Sequence, residues 1–157
     1  MTFRTMTLIA LAVTAVGCTP PVVRSPGLKA QMIPIISRCD QVRARLRAKV
    51  RAAPSVGDAE AVGAEVHSLV PLALQTQQAC SAAQGELSAL AASVPVPSVC
   101  VDMLESKARH SAFTARVMNT IERASKEDQA ANARAGRDVV RFTRACARAI
   151  RTADPEA

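Results

Sequence analysis

The chain has 157 residues, 20 Lys or Arg against 13 Asp or Glu for a net charge of +7, and neither Trp nor Tyr. That length suits one domain with its own core, which must be built from Ala, Val, Leu, Ile and Met because the chain has only three Phe. The two His and the lack of a nucleophile elbow, phosphate loop or paired-acid motif point away from an enzyme, a cofactor or a metal site; the shortage of stacking aromatics argues against nucleic acid as partner of the positive charge.

The first element is a leader. Arg4 gives it a positive start, and Met6 to Val16 form an apolar run of about 11 residues, too short for a bilayer span of about 20. It ends on Ala15-Val16-Gly17-Cys18, small residues before a cysteine. This segment resembles the signal peptide of bacterial lipoproteins, although Ala15 stands where that class usually has Leu. The resemblance implies that residues 1–17 are removed, that the Cys18 thiol carries a lipid, and that the chain faces the periplasm. In that class Asp after the cysteine favours inner-membrane retention, so Thr19 implies the outer membrane. The alternative is an ordinary secretory signal with Cys18 as a leftover thiol. Residues 18–27 contain three Pro and read as an extended tether reaching roughly 30 Å.

Residues 28–152 read as an all-α, antiparallel four-helix bundle, with a short tail over 153–157. The first helix is predicted over Leu28–Ala52, with Met32, Ile35, Ile36, Cys39, Val42, Leu46 and Val50 on its apolar line. Arg43, Arg47 and Arg51 recur four apart on its outer face, with Arg45 and Lys49 beside them. Ser55 and Asp58 resemble a capping box for a second helix reaching about Ser93. Its line through Val62, Val66, Leu69, Ala73, Thr76, Cys80, Ala83, Leu87 and Leu90 keeps steps of three and four; Pro71, off that line, should bend it. Pro95 and Pro97 break the chain before a third helix from Ser98 with Cys100, Val101, Met103, Leu104, Ala108, Ala112, Ala115, Met118 and Ile121 on its apolar face. A second capping-box pattern, Ser125 with Asp128, starts a fourth helix with Ala135, Val139, Phe142, Cys146, Ala149 and Ile150 inward. The alternative is three helices, the last an unbroken rod of about 55 residues and about 80 Å.

Setting Cys18 aside leaves Cys39, Cys80, Cys100 and Cys146, an even set that reads as two disulfides in an exported chain. No Cys-x-x-Cys pair suggests zinc. Bridged residues must lie at similar heights. Reckoned from the turns, Cys39–Cys80 is out of level by about seven residues and Cys100–Cys146 by about two, against about ten and about 16 for Cys80–Cys100 and Cys39–Cys146. The pairing Cys39–Cys80 with Cys100–Cys146 therefore strains the bundle least.

Charge is uneven. Residues 18–51 hold eight Lys or Arg and one acid, Asp40, whereas residues 52–98 hold four acids and no Lys or Arg. The basic face Arg43, Arg45, Arg47, Lys49 and Arg51 reads either as a solvated face partly paired with acids of the second helix, or as a surface for an anionic polymer or acidic protein of the envelope. Following the tether, it should lie near the membrane. His67 and His110 read as surface or boundary residues. The expected function is a non-catalytic interaction or scaffolding role; the alternative is a periplasmic small-ligand binder or inhibitor using the bundle interior. The oligomeric state is left open.

Overall fold

A computed structural model describes residues 27–53, 59–121 and 124–153. The leader, the tether as far as Pro26 and the Ser55–Asp58 pattern lie outside the described residues. The described chain forms α1 (Leu28–Ala52), α2 (Ala59–Ser68), α3 (Val70–Leu90), α4 (Ser98–Asn119) and α5 (Lys126–Ala153). There are no strands among the described residues. The second predicted helix is thus two pieces, so the four arms of the bundle are α1, α2 with α3, α4 and α5.

The break falls at Leu69. Pro71 has no N–H to give the His67 carbonyl, and its ring crowds that carbonyl. Leu69 N–H instead bonds the Val66 carbonyl at 3.1 Å, and α3 restarts with Pro71 in its first turn. The other prolines act as the sequence suggests: α3 stops at Leu90 and α4 begins at Ser98, just after Pro97. Between α4 and α5 the unbroken rod is ruled out, because α4 ends at Asn119. Ser125 caps α5 reciprocally: Asp128 N–H donates to Ser125 Oγ at 3.0 Å, and Ser125 N–H donates to Asp128 Oδ2 at 3.2 Å.

Two clusters share the core. The larger gathers Met32, Cys39, Cys80, Leu87, Cys100, Met103, Leu104 and Cys146. The smaller gathers Leu46, Leu69, Ala73, Ala115 and Met118. The disulfides Cys39–Cys80 and Cys100–Cys146 both lie in the larger cluster, with Cα–Cα distances of 4.6 Å and 4.7 Å.

Helix α3 packs between α1 and α4, and α4 between α3 and α5, while α1 and α5 scarcely touch. Polar side chains of α4 reach α1 near that side, through Lys107–Asp40 and Arg43–His110. No helix among the described residues is long and apolar enough to cross a membrane.

Candidate functional site

Where α1 and α5 stand apart, α4 sends Lys107 and His110 toward α1. The Lys107 side chain is 3% exposed, and Lys107 Nζ donates to Asp40 Oδ1 at 2.6 Å; the Asp40 side chain is 45% exposed. One turn further along α1, Arg43 Nη2 lies 3.4 Å from His110 Nδ1. Guanidinium nitrogens only donate, so Nδ1 is the acceptor and His110 carries its proton on Nε2. The other edge of the ring faces Gly136 of α5, where a Cβ would stand 3.3 Å from Nε2. Glycine at that position lets α5 close on the imidazole.

Burial dominates the electrostatics of this layer. It lowers the pKa of Lys107, against the partial support of Asp40, and that of Arg43, helped by the neighbouring charge of Arg47. Burial, and then Arg43, also lower the His110 pKa from its ordinary 6.5, which keeps the ring neutral at neutral pH. Two buried cations therefore share one half-exposed carboxylate. Serine and threonine hydroxyls complete the layer, Ser111 Oγ donating to the Lys107 carbonyl at 2.9 Å and Thr114 Oγ1 to Asn132 Oδ1 at 3.2 Å.

This geometry corrects the expected basic face. Arg43 is buried, 9% exposed, on the inward line Cys39–Arg43–Leu46. The expected line ran through Val42 instead, which is only half-buried. The inward line bears Arg43 because the gap beside α5 has room for a long side chain whose head reaches His110. Arg45, Arg47, Lys49 and Arg51 are exposed, and none of them joins an ion pair among the described residues. The predicted attraction between the first and second arms is represented by Arg38, which pairs with Glu86. Arg43 to Arg51 lie about 22–35 Å along the α1 axis from Leu28.

Val50 and Ile121 depart from expectation as well. Both were expected inward, and both are exposed, at 43% and 40%. They flank a pocket of about 450 Å³ between α1, α2 and α4, walled by Leu46, Val66, Leu69, Val117 and Met118 and bordered by Arg43, Arg47 and Arg51. His110, Ser111 and Thr114 lie at its polar edge.

A second cationic surface escaped the sequence reading. Arg134, Arg137, Arg141, Arg144, Arg148 and Arg151 recur at steps of three and four and are all exposed along α5. The ridge runs about 26 Å. Arg141 stacks on Phe142 with its guanidinium carbon 4.7 Å from the ring centre, and bonds Asp138 at 3.2 Å. The signal was available as arginine spacing parallel to the apolar line Ala135–Val139–Phe142–Cys146. Regional net charge hid it, because Asp102, Glu105, Glu127 and Asp128 offset it in sequence while lying elsewhere on the helices.

His67 is exposed on α2 and His110 is half-buried. Among the described residues no group of three His, Cys, Asp or Glu could hold a metal ion. In comparisons with known proteins, no family model, curated protein or solved structure matches the chain.

Proposed function

We propose that the protein is a lipid-anchored, non-catalytic binding protein of the bacterial cell envelope, acylated on Cys18 and held at the outer membrane facing the periplasm. Its cationic helices dock on an anionic envelope polymer or headgroup layer, whose phosphates and carboxylates they recognise. The arginine ridge of α5 carries this reading: six exposed guanidinium groups on one helix face with only Asp138 paired among them. Each basic residue near an anionic lipid surface is worth about 1 kcal/mol.

The thiol pairing supports the anchor. Four of the five cysteines are joined to each other, which suits an oxidising compartment and leaves Cys18 as the thiol outside the bridges. The Ala15–Cys18 pattern supplies the chemistry of attachment.

Two arms of one experiment test the proposal. Metabolic labelling with an alkyne fatty acid should mark the native chain and not Cys18→Ser, which should leave the membrane fraction. The Cys18→Ser chain should then co-float with phosphatidylglycerol vesicles at low salt and lose them as salt rises. Arg137→Glu with Arg144→Glu should abolish co-flotation. Equal binding to neutral phosphatidylcholine vesicles, or no effect of the charge reversal, overturns the docking surface. Label on Cys18→Ser overturns the anchor.

A further inference from the structure

The pocket at the far end of α1 differs in charge from the groove between α4 and α5, and differs from the arginine-lined groove on α5 in having an aliphatic interior. The groove between α4 and α5 is bordered by Asp102, Glu105 and Asp138 as well as by Arg109, Arg134 and Arg141, so its charges offset each other. Among the described residues, the α1–α2–α4 pocket has Arg43, Arg47 and Arg51 on its border and no carboxylate. The three stand four residues apart, so they follow one edge of a helix. Beneath that edge the walls are aliphatic, and the exposed Val50 and Ile121 leave apolar surface in water at the mouth. Burying such surface contributes about 25 cal/mol per Å².

From this juxtaposition of a cationic border and an aliphatic interior, we infer that the pocket binds a single-chain anionic amphiphile, a long acyl chain bearing a carboxylate or phosphate head. A volume of about 450 Å³ lies in the range of small-molecule sites. It lies toward the lower end of that range, which favours one acyl chain over two. The head meets Arg47 and Arg51 at the mouth and Arg43 behind them; the chain runs inward along Leu46, Leu69 and Met118. Thr114 and Ser111 line the polar edge with hydroxyls already bonded within the fold, and the neutral His110 adds no competing charge. Arg43 is held by His110 before any ligand arrives, so the innermost cation is preorganised.

The site stands independently of the α5 ridge, with which it shares no residue. The test uses the full mature chain carrying Cys18→Ser, so that an acyl group of its own cannot occupy the pocket. Helix content by circular dichroism and intact disulfides by mass spectrometry report the fold. Palmitate, lysophosphatidic acid and hexadecanol are titrated separately while the unfolding midpoint is followed. Palmitate or lysophosphatidic acid should raise the midpoint, and whichever raises it further identifies the head as carboxylate or phosphate. Hexadecanol, the same chain without charge, should bind at least tenfold more weakly than that ligand. Arg47→Gln with Arg51→Gln should weaken the anionic ligand at least tenfold, and Ile121→Glu should abolish it. All three positions are exposed, so these variants keep the fold. Arg137→Glu with Arg144→Glu should leave the titration unchanged, which separates failure of the pocket from failure of the docking ridge. The inference is overturned if neither anionic ligand binds, if hexadecanol binds as tightly, or if the pocket variants bind like the parent.

Discussion

Around Met32, Cys39, Leu87, Leu104 and Cys146 the helices meet through fully buried side chains and two disulfides. Further along α1, around Leu46, Leu69 and Met118, they meet through a smaller cluster and a pocket open to solvent. The stapled region is the end where α1 begins. The open region carries Arg43, Arg47 and Arg51 and the exposed Val50 and Ile121. A bundle with no Trp or Tyr and few Phe gains little from each core residue, and its cross-links fall where the packing is densest. That concentration leaves the other end free to keep groups that would weaken a core.

The largest expected effect tests the staples. The bridges close separate loops with sequence separations of 41 and 46 residues. In the loop-entropy description each contributes about 4 kcal/mol, about 8 kcal/mol together. Since whole domains are stable by about 5–15 kcal/mol, the reduced full chain should lose most of its cooperative unfolding transition, followed by far-ultraviolet circular dichroism. A reduced chain that unfolds at nearly the same denaturant concentration would remove the basis of the comparison.

A matched pair of truncations sharpens it. Leu104 is 0% exposed within the stapled cluster, and Leu69 is 5% exposed on the pocket wall. Leu104→Ala should cost about 4 kcal/mol and Leu69→Ala about 2 kcal/mol, because a site beside open space forfeits fewer contacts and can relax. Equal losses in denaturant titrations would mean that both ends are packed alike.

The ion pair gives a smaller effect with opposite signs. Lys107→Met keeps the volume and frees a half-exposed carboxylate to hydrate, so stability should rise by up to about 1 kcal/mol. Asp40→Asn leaves Lys107 and Arg43 buried without a counter-charge and should cost about 2 kcal/mol. Both changes are read as shifts in the unfolding midpoint, and a stabilising Asp40→Asn would contradict the account of this layer.

The smallest effect is a pH dependence. His110 has its pKa lowered in the fold, by burial first and Arg43 second, from an ordinary 6.5. The unfolded chain therefore takes up the proton more readily than the folded one. The stability held above that value is lost as pH falls through about 6.5. Thermal midpoints measured between about pH 7.5 and about pH 5.5 should fall for the parent chain and fall less for His110→Gln. Identical slopes would take His110 out of the buried layer.

Much of the fold was legible from local signals. Leu28–Ala52 coincides with α1 because a three–four apolar spacing runs uninterrupted between Gly27 and the turn after Ala53. Ser125 with Asp128 marked the start of α5 because a reciprocal cap involves residues three apart. The cysteine heights led to the same pairs that the structure joins. What stayed hidden depends on how helices stand relative to one another. Val42 and Arg43 are both compatible with a three–four pattern, and only the gap between α1 and α5 decides that Arg43 turns inward. Val50 and Ile121 belong to apolar lines, yet they stay 43% and 40% exposed at that end of the bundle. The α5 ridge was different: it needed no tertiary information and was masked by summing charge over a whole region.

Hydrogen exchange on the oxidised full mature chain with Cys18→Ser tests the central claim most directly, because it reports local stability along every helix in one measurement. Amides around Cys39, Cys80, Leu104 and Cys146 should exchange only through global unfolding, while those of α2 and of α1 beyond Leu46 exchange faster by local opening. Adding an anionic single-chain amphiphile should slow only the second group. Uniform protection along the helices, or slowing spread evenly over both ends, would contradict the division of the bundle into a stapled end and a binding end.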